Sequence, residues 1–157
     1  MEAMKLDVEA VIHNPRLREV GGLPVYATAG AAAMDLRSCE EKPVTIWPQM
    51  TYSFDLGFSL YIRDPGVAGF ILPRSGLGTK GLVLANSTGL IDSDYQGPLS
   101  VKALNRNHFG GKPITVNPGD RIFQIVFLPV VLATLRDVES FSERTERGVG
   151  GYGSTGA

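Results

Sequence analysis

Glycine and proline interrupt this chain so often that no long helix fits between them. The 157 residues include 19 glycines, about 12%, against a usual share of about 7%. Ten prolines add further interruptions, and both residue types are disfavoured inside helices. A turn or two at residues 75–80 is the only segment that suits a helix. We therefore expect short strands joined by many turns.

The segments between these interruptions have the periodicity of strands. Apolar residues at positions 6, 8, 10 and 12 alternate with polar or exposed positions, which is typical of a strand buried on one face. The longest apolar run, residues 122–132, predicts a fully buried strand. Further β-prone segments are residues 44–47, 52–62, 67–72, 81–84, 99–104 and 114–116. Many short strands at near-regular spacing predict an all-β sandwich, barrel or jelly roll, and without a repeat or a linker we expect one domain over residues 1–157.

Charge and cysteine content exclude several classes of protein. Basic and acidic residues nearly balance, with a net charge of −1, whereas proteins that bind nucleic-acid polymers usually show a basic excess. Cys39 is a single cysteine, so no intrachain disulfide is possible, and we expect it and Trp47 to lie in the core. The N-terminus lacks a signal-peptide pattern, and the most apolar stretch, residues 122–135, is interrupted by Gln124 and Pro129 and is too short to span a bilayer. These features predict a cytoplasmic protein without a nucleic-acid polymer or a membrane as partner.

Two segments carry groups that suit phosphate. In residues 73–78 (PRSGLG), Arg74 can pair with phosphate oxygens, and a helical turn starting at Ser75 would present free N–H groups. An ordinary capped turn with a surface arginine fits the same residues. Gln124 lies inside an apolar run and needs a hydrogen-bond partner if buried, so it is either a ligand-binding residue or a satisfied core glutamine.

Residues 89–97 (GLIDSDYQG) have the composition of a hairpin with chemistry in its turn. Asp92 and Asp94 lie next to Tyr95, which would place a general base beside a flat ring. Aspartate and glycine are also common in hairpins for conformational reasons alone. Both interpretations stay open at this point.

The C-terminal residues 147–156 (RGVGGYGSTG) combine Arg147 and Tyr152 with glycines and hydroxyls. Glycines let backbone N–H groups approach a phosphate, although the Gly-Lys-Ser/Thr end of the usual phosphate loop is missing. A tail without a ligand has the same composition. His13 and His108 show no pattern of metal ligation.

Taken in order, these segments resemble the five motifs of the trimeric dUTPase family. The five segments are residues 29–37 (AGAAAMDLR), 73–78, 86–97 (NSTGLIDSDYQG), 118–127 (PGDRIFQIVF) and 147–156. The family hydrolyses dUTP to dUMP and pyrophosphate, which limits uracil incorporation into DNA and supplies dUMP for dTMP synthesis. The resemblance implies a jelly-roll-like β-barrel with at most one short helix, in a homotrimer with shared active sites. It also implies a core over about residues 1–140 and a flexible glycine-rich arm over about 141–157 that closes a neighbouring subunit's site.

The resemblance further implies roles for individual residues. Asp92 would activate the water that attacks the α-phosphorus, Tyr95 would exclude ribonucleotides, and Tyr152 would stack on uracil. Asp35 would support a Mg²⁺ ion through water. The implied substrate-binding residues are Arg74, Ser75, Gly76, Asn86, Gly89, Asp92, Tyr95, Gln124, Arg147, Tyr152, Gly153, Ser154 and Thr155.

Few positions depart from the family pattern. Ala33 replaces a common glycine, and Phe123 replaces a small residue, where it could shift the strand or fill space at a subunit contact. Two other functions remain as alternatives: a dCTP deaminase of the same fold and a non-catalytic nucleotide-binding regulator. The deaminase needs a glutamate near the base, and the regulator would be expected to lack Asp92 or Arg74, so the residues present favour the hydrolase.

Overall fold

The structure is a computed structural model that describes residues 5–151. Two helices and ten strands are found within this range. In chain order they are β1 Glu9–Ile12, α1 Arg16–Glu19, β2 Met34–Arg37, β3 Val44–Ile46, β4 Thr51–Tyr61, β5 Val67–Pro73, α2 Ser75–Thr79, β6 Leu82–Leu84, β7 Gly89–Ile91, β8 Pro98–Asn105, β9 Ile114–Val116 and β10 Arg121–Pro129.

The strands form three antiparallel sheets around a shared core. The strand orders are β1-β4-β8-β6, β2-β10-β5-β7 and β3-β9. Phe54, Ile71 and Val116, one from each sheet, belong to the same cluster of buried apolar side chains. The prediction of an all-β, jelly-roll-like fold is therefore confirmed. Its sheets are open and do not close into a ring of paired strands.

The sequence periodicity located most strands but missed two. β8 shows the clearest alternation, with Leu99, Val101 and Ala103 buried and the residues between them exposed. β2 and β7 have no such pattern, because β2 buries only Leu36 fully and β7 is three residues long and begins with Gly89. Both are recognisable only through the strands they pair with, β10 and β5.

The expected helix is present, and a second one was not expected. α2 matches the predicted segment, whereas α1 is a single turn that buries Leu17. Pro15 sits at its N-cap position with φ −60°, which is compatible with a helix start. Gly21 and Gly22 follow with positive φ, and the Gly22 N–H donates to the Leu17 carbonyl oxygen at 2.7 Å, which ends the helix. Neither helix of residues 5–151 has the length or the apolar content needed to cross a membrane.

Two expectations about burial were wrong. Trp47 is 62% exposed, because it lies in a turn after β3 that the Met50 N–H closes onto the Trp47 carbonyl oxygen at 3.0 Å. The long apolar run is buried only in its first half, since β10 ends at Pro129 and Val131 is 94% exposed. Cys39 is buried, as predicted.

Candidate functional site

The predicted phosphate-binding residues meet where β2, β10 and β5 lie side by side. Gln124 of β10 is opposite Asp35 of β2, and its Nε2 donates to the Pro73 carbonyl oxygen at 2.9 Å. Arg74 follows β5, and its Nε lies 2.7 Å from Asp35 Oδ1. Its Nη1 donates to the carbonyl oxygen of Arg121 at 3.1 Å. Asp35, Arg74, Arg121 and Gln124 are called the cation cluster below.

Arg121 is a member of this cluster that the sequence analysis did not single out. Its Nη1 lies 3.1 Å from Asp35 Oδ2, so the Asp35 carboxylate, 18% exposed, joins two guanidinium groups. The pairing of β10 with β2 shifts register between Arg121 and Phe123. This bulge buries Ile122 and Phe123 next to each other and leaves Arg121 outside. The break in alternation after Arg121 is the sequence signal that would have pointed to it.

Phe123 fills space inside its own chain. It is fully buried in the core cluster, opposite Leu36 of β2 and Pro73 of β5. The expectation that it could fill space at a subunit contact was therefore wrong, and the alternative that it shifts the strand stays a prediction.

Asp35 is suited to a metal ion only through water. Each of its oxygens already faces one guanidinium, and each keeps a further lone pair that can accept a hydrogen bond. Among residues 5–151, no group of three His, Cys, Asp or Glu side chains could hold a metal ion. Mg²⁺ usually keeps several waters and binds substrate phosphates with the help of one or two carboxylates. The residues therefore fit a Mg²⁺ ion carried mainly by a polyphosphate ligand.

Ser75 and Gly76 begin α2 directly after Arg74, and both are exposed. The first N–H groups of a helix have no acceptor within it, so these residues can donate to an anion. A Cβ added at Gly76 would meet no atom within 4 Å. Packing within the chain thus gives no reason for glycine there, and the space in front of it is free among the described residues.

Asp92 and Tyr95 lie in the turn that follows β7. The expected hairpin is not formed, because β7 pairs with β5 while the next strand, β8, pairs with β4 and β6 in another sheet. The Tyr95 N–H donates to the Asp92 carbonyl oxygen at 3.2 Å. The Tyr95 hydroxyl donates to the carbonyl oxygen of Pro98 at 3.1 Å, which fixes a ring that is 43% exposed. A Cβ at Gly97 would lie 2.5 Å from the tyrosine oxygen, so glycine at this position leaves room for the ring. The Asp92 side chain is exposed.

Asn86 lies in the turn before β7, and Gly89 is the first residue of β7. Asn86 is exposed in a tight turn in which the Thr88 N–H donates to the Asn86 carbonyl oxygen at 2.8 Å. A Cβ at Gly89 would lie 3.1 Å from Ile71 Cβ, so the glycine lets β7 approach β5 closely. Asn86, Gly89, Asp92 and Tyr95 are called the hairpin cluster below.

Asp92 and Arg74 lie towards opposite ends of β5 within one chain, whereas Gly89 is opposite Ile71, three residues before Arg74. β5 pairs with β7 so that Gly69 is opposite Ile91, the residue before Asp92. Arg74 is five residues beyond Gly69, which is roughly 16 Å along a strand that rises about 3.3 Å per residue. The structure therefore does not assemble all the predicted site residues at one place in a single chain.

Arg147 belongs to neither cluster. It lies in the segment from residue 130 to residue 151, which contains no helix or strand, and its Nε donates to the Gly150 carbonyl oxygen at 3.0 Å. Several apolar side chains of this segment are almost fully exposed, including Leu135 at 95% and Phe141 at 90%. The other predicted residues of the arm, which are Tyr152, Gly153, Ser154 and Thr155, lie outside the described residues.

Cys39 is not a nucleophile in this fold. Burial raises the pKa of its thiol to about 11, and the charges of Asp55 and Glu40 add to the increase. The thiol is therefore protonated at neutral pH and packs as an apolar group.

Known proteins match this chain along most of its length. The sequence model of the dUTPase family matches residues 21–156. A deoxyuridine 5'-triphosphate nucleotidohydrolase of Coxiella burnetii is 51% identical over 154 residues, covering 98% of this chain and 99% of that protein. The dUTPase of Staphylococcus bacteriophage 80alpha, solved with dUPNHPP, is 24% identical, with a TM-score of 0.79 over 96% of this chain and 99% of that one. A mutant dUTPase from phage phi11 of S. aureus, which coordinates a structural Mg(II) ion, is 22% identical, with a TM-score of 0.74 over 87% and 99%. At this identity the two structures are evidence for the fold alone.

Proposed function

The chain belongs to the dUTPase family, and from this membership we propose that it hydrolyses dUTP to dUMP and pyrophosphate. The observation that carries the proposal is the chemical division between the two clusters. The cation cluster and the adjoining start of α2 present guanidinium, amide and N–H groups, which suit a triphosphate. The other presents a carboxylate, an amide and an aromatic ring, which suit a nucleoside and the water that attacks it. In the cell this reaction would limit uracil incorporation into DNA and supply dUMP for dTMP synthesis.

The cation cluster would bind the triphosphate. Arg74 is held from one side by Asp35 and by the carbonyl oxygen of Arg121, so its remaining N–H groups are oriented before a ligand arrives. A guanidinium fork pairs well with phosphate oxygens. Ser75 and Gly76 would add N–H donors from the start of α2, and Gln124 would add its amide.

The hairpin cluster would bind the nucleoside. The Tyr95 ring, fixed through its hydroxyl, would pack against the deoxyribose where a 2′-hydroxyl would otherwise lie, and so exclude UTP by shape. Asn86 and the backbone of the segment around β7 would pair with the uracil edge. Cytosine presents the opposite donor and acceptor pattern and would leave buried groups unpaired.

Asp92 would act as the general base. Its carboxylate would take a proton from water, whose oxygen then bonds to the α-phosphorus as the bond to the bridging oxygen of pyrophosphate breaks. A positioned general base contributes roughly 10²–10⁴-fold in rate. A Mg²⁺ ion bound to the triphosphate would supply neutralisation of the charge that develops on the leaving pyrophosphate.

We also infer that the site is completed between subunits of a homotrimer. Asp92 and Arg74 are separated along β5 of one chain, whereas Asp92 of a second chain could reach the cation cluster of the first. An apolar groove of about 850 Å³, lined in part by Tyr26, Phe127 and Leu128, offers a surface for a neighbouring subunit. The exposed apolar segment after β10 would also be covered in such an assembly, and the arm with Arg147 would close over the site.

The decisive experiment is pyrophosphate release from dUTP, dCTP, dTTP and UTP, each with and without Mg²⁺. We expect hydrolysis of dUTP only, with Mg²⁺ increasing the rate. Ammonia release from dCTP would instead favour a deaminase, and dUTP binding without turnover would favour a regulator. Asp92→Asn should keep the affinity for dUTP and lose at least about 100-fold in turnover. Turnover within a few-fold of the parent would remove Asp92 from the mechanism.

A further inference from the structure

The segment that carries the proposed general base is tied to the connection between β4 and β5. After Ile91 the chain leaves its pairing with β5 and turns through Asp92 and Ser93. The Ser93 carbonyl oxygen accepts a hydrogen bond from the Arg63 N–H at 2.9 Å. Asp92 and Asp94, which flank Ser93, are exposed, so packing around their side chains does little to fix this segment. The position of the Asp92 carboxylate therefore depends on where the Arg63 N–H lies.

Arg63 has an unusual backbone conformation. Its φ is +69°, in the left-handed region that residues other than glycine adopt only at a cost in free energy. The Asp64 N–H donates to the Ile62 carbonyl oxygen at 2.8 Å, which closes a three-residue γ-turn around Arg63. Such a conformation persists only where its surroundings hold it. The contacts of this turn therefore bear on the hydrogen bond to Ser93.

Asp64 supplies the side-chain contact that holds this turn. Its Oδ1 accepts the Gly66 N–H at 2.8 Å, the hydrogen bond by which an aspartate stabilises a turn two residues ahead. Its carbonyl oxygen accepts the Val67 N–H at 3.0 Å, and Val67 is the buried first residue of β5. Pro65, between them, has a restricted φ. Asp64 therefore joins the γ-turn around Arg63 to a strand whose position the core fixes.

The rest of the turn is held mainly by the backbone. The Gly66 carbonyl oxygen accepts the N–H of Val130, the residue that follows β10, at 2.8 Å. The Arg63 side chain adds only exposed ion pairs, the shorter of them to Glu9 at 3.4 Å, and exposed pairs of this kind contribute little. The Asp64 carboxylate is therefore the side chain on which the shape of the turn depends most.

We propose that Asp64 is a positioning residue for the hydrolysis reaction. It holds the turn at residues 62–66, and the Arg63 N–H of that turn holds the Ser93 carbonyl oxygen. The Asp92 carboxylate is thereby kept where it can take a proton from the attacking water. This inference rests on the proposed function, because that function assigns Asp92 to the proton transfer. A shift of about 1 Å at a reacting group can cost about 100-fold in rate, so a residue that touches neither substrate nor water can still control kcat.

The test compares Asp64→Ala with Asp64→Asn in dUTP hydrolysis, measured well below the thermal midpoint of each variant. Alanine removes the acceptor for the Gly66 N–H, whereas the amide oxygen of asparagine keeps it. Asp64→Ala should lower kcat about tenfold and leave KM within about twofold, and Asp64→Asn should keep kcat within about twofold of the parent. Thr45→Ala is the matched control and should keep the parent's kcat, because it removes one exposed hydrogen bond of 3.0 Å, to Thr115, in the pairing of β3 with β9.

A double variant separates positioning from a general loss of structure. In an Asp92→Asn background there is no base to position, so adding Asp64→Ala should change the residual turnover by less than about twofold. A further loss of about tenfold in that background would show that Asp64 acts on the fold or on another step, and this would overturn the proposal. A kcat of Asp64→Ala within about twofold of the parent would overturn it as well.

Hydrogen exchange of the Arg63 amide tests the structural link without turnover. This amide should exchange about tenfold faster in Asp64→Ala than in the parent or in Asp64→Asn, and an unchanged exchange rate would refute the connection through Arg63. The proposed function is judged separately, from dUTP hydrolysis by the parent and its loss in Asp92→Asn. A parent that hydrolyses nothing would refute the function, while the exchange rates would still decide whether Asp64 holds the Ser93 segment.

Discussion

Gly97→Ala should disturb substrate choice while leaving the fold almost intact. Gly97 does not have a positive φ, so its backbone accepts alanine. The new Cβ would lie 2.5 Å from the Tyr95 oxygen and 2.6 Å from Cζ. The oxygen must recede by about 0.9 Å to reach the 3.4 Å at which ordinary contact begins. The hydrogen bond from the Tyr95 hydroxyl to the Pro98 carbonyl oxygen would be lost.

Two magnitudes follow from this displacement. Loss of one hydrogen bond costs about 0.5–1.5 kcal/mol, and for a chain of this size each kcal/mol lowers the melting temperature by about 2–4 °C. The expected decrease is therefore about 1–6 °C. A pocket that discriminates against a substrate with one small extra group does so by about 1–3 kcal/mol of transition-state binding free energy. If the fixed ring provides this rejection, the ratio of kcat/KM for dUTP to that for UTP should fall by about 10-fold or more.

The assay compares kcat/KM for dUTP and UTP in three variants. Gly30→Ala is the matched control, because a Cβ at Gly30 meets no atom within 4 Å, and it should behave as the parent. Tyr95→Phe removes the hydroxyl and keeps the ring, so it separates the hydrogen bond from the ring position. A Gly97→Ala ratio within twofold of the parent would refute the argument that the placement of Tyr95 excludes the ribose.

Three further predictions concern stability and the arm. Gly57→Ala should lower the free energy of unfolding by about 2–5 kcal/mol, because Gly57 combines φ +80° with a Cβ position 2.8 Å from Cys39 Sγ. Gly22→Ala, at φ +78° with no atom within 4 Å of the added Cβ, should lower the free energy of unfolding only by the backbone strain, about 1–2 kcal/mol. Equal decreases in the unfolding free energy of the two variants, measured by urea titration, would contradict the packing argument. The Cys39 thiol has a pKa of about 11 in the folded chain against an ordinary 9.0, so the unfolded chain deprotonates first and stability should fall between about pH 9 and pH 11, by about 2–3 kcal/mol in total. The unfolding free energy of Cys39→Ala should therefore fall less than that of the parent across this pH range. The same pH dependence of unfolding free energy in both proteins would refute the role of the thiol. Ending the chain before Arg147 should leave thermal unfolding unchanged and lower dUTP hydrolysis by at least about tenfold, whereas an unfolded product would show that the arm is structural.

The strands were predictable where one face is buried. Alternation in β8 and the apolar content of β10 follow from the core that both strands line, so the amino-acid sequence carries that information locally. Trp47 shows where such reasoning fails, because a large apolar side chain can also lie in an exposed turn. α1 was missed since one turn of helix is too short to show a period.

The site was predictable in its residue types and not in its arrangement. The turn after β7 and the start of α2 were visible as local patterns, although the strands beside that turn do not pair as a hairpin. Arg121 depends on a bulge and on its distance from Asp35 of another strand. The separation of Asp92 from Arg74 depends on the register of β5 with β7. Pairing of this kind is decided by the whole sheet, so no local pattern reveals it.

Complementation between two inactive variants is the most direct test of an active site completed between subunits. Asp92→Asn keeps an intact cation cluster, and Arg74→Ala keeps an intact hairpin cluster. After dissociation and random reassembly of an equal mixture, about one quarter of the sites in a symmetric trimer would combine an intact Arg74 with an intact Asp92. The mixture should therefore recover about a quarter of the parent's dUTP hydrolysis, with mass spectrometry confirming exchange of subunits. A fully exchanged mixture that stays as inactive as its components would contradict the shared site.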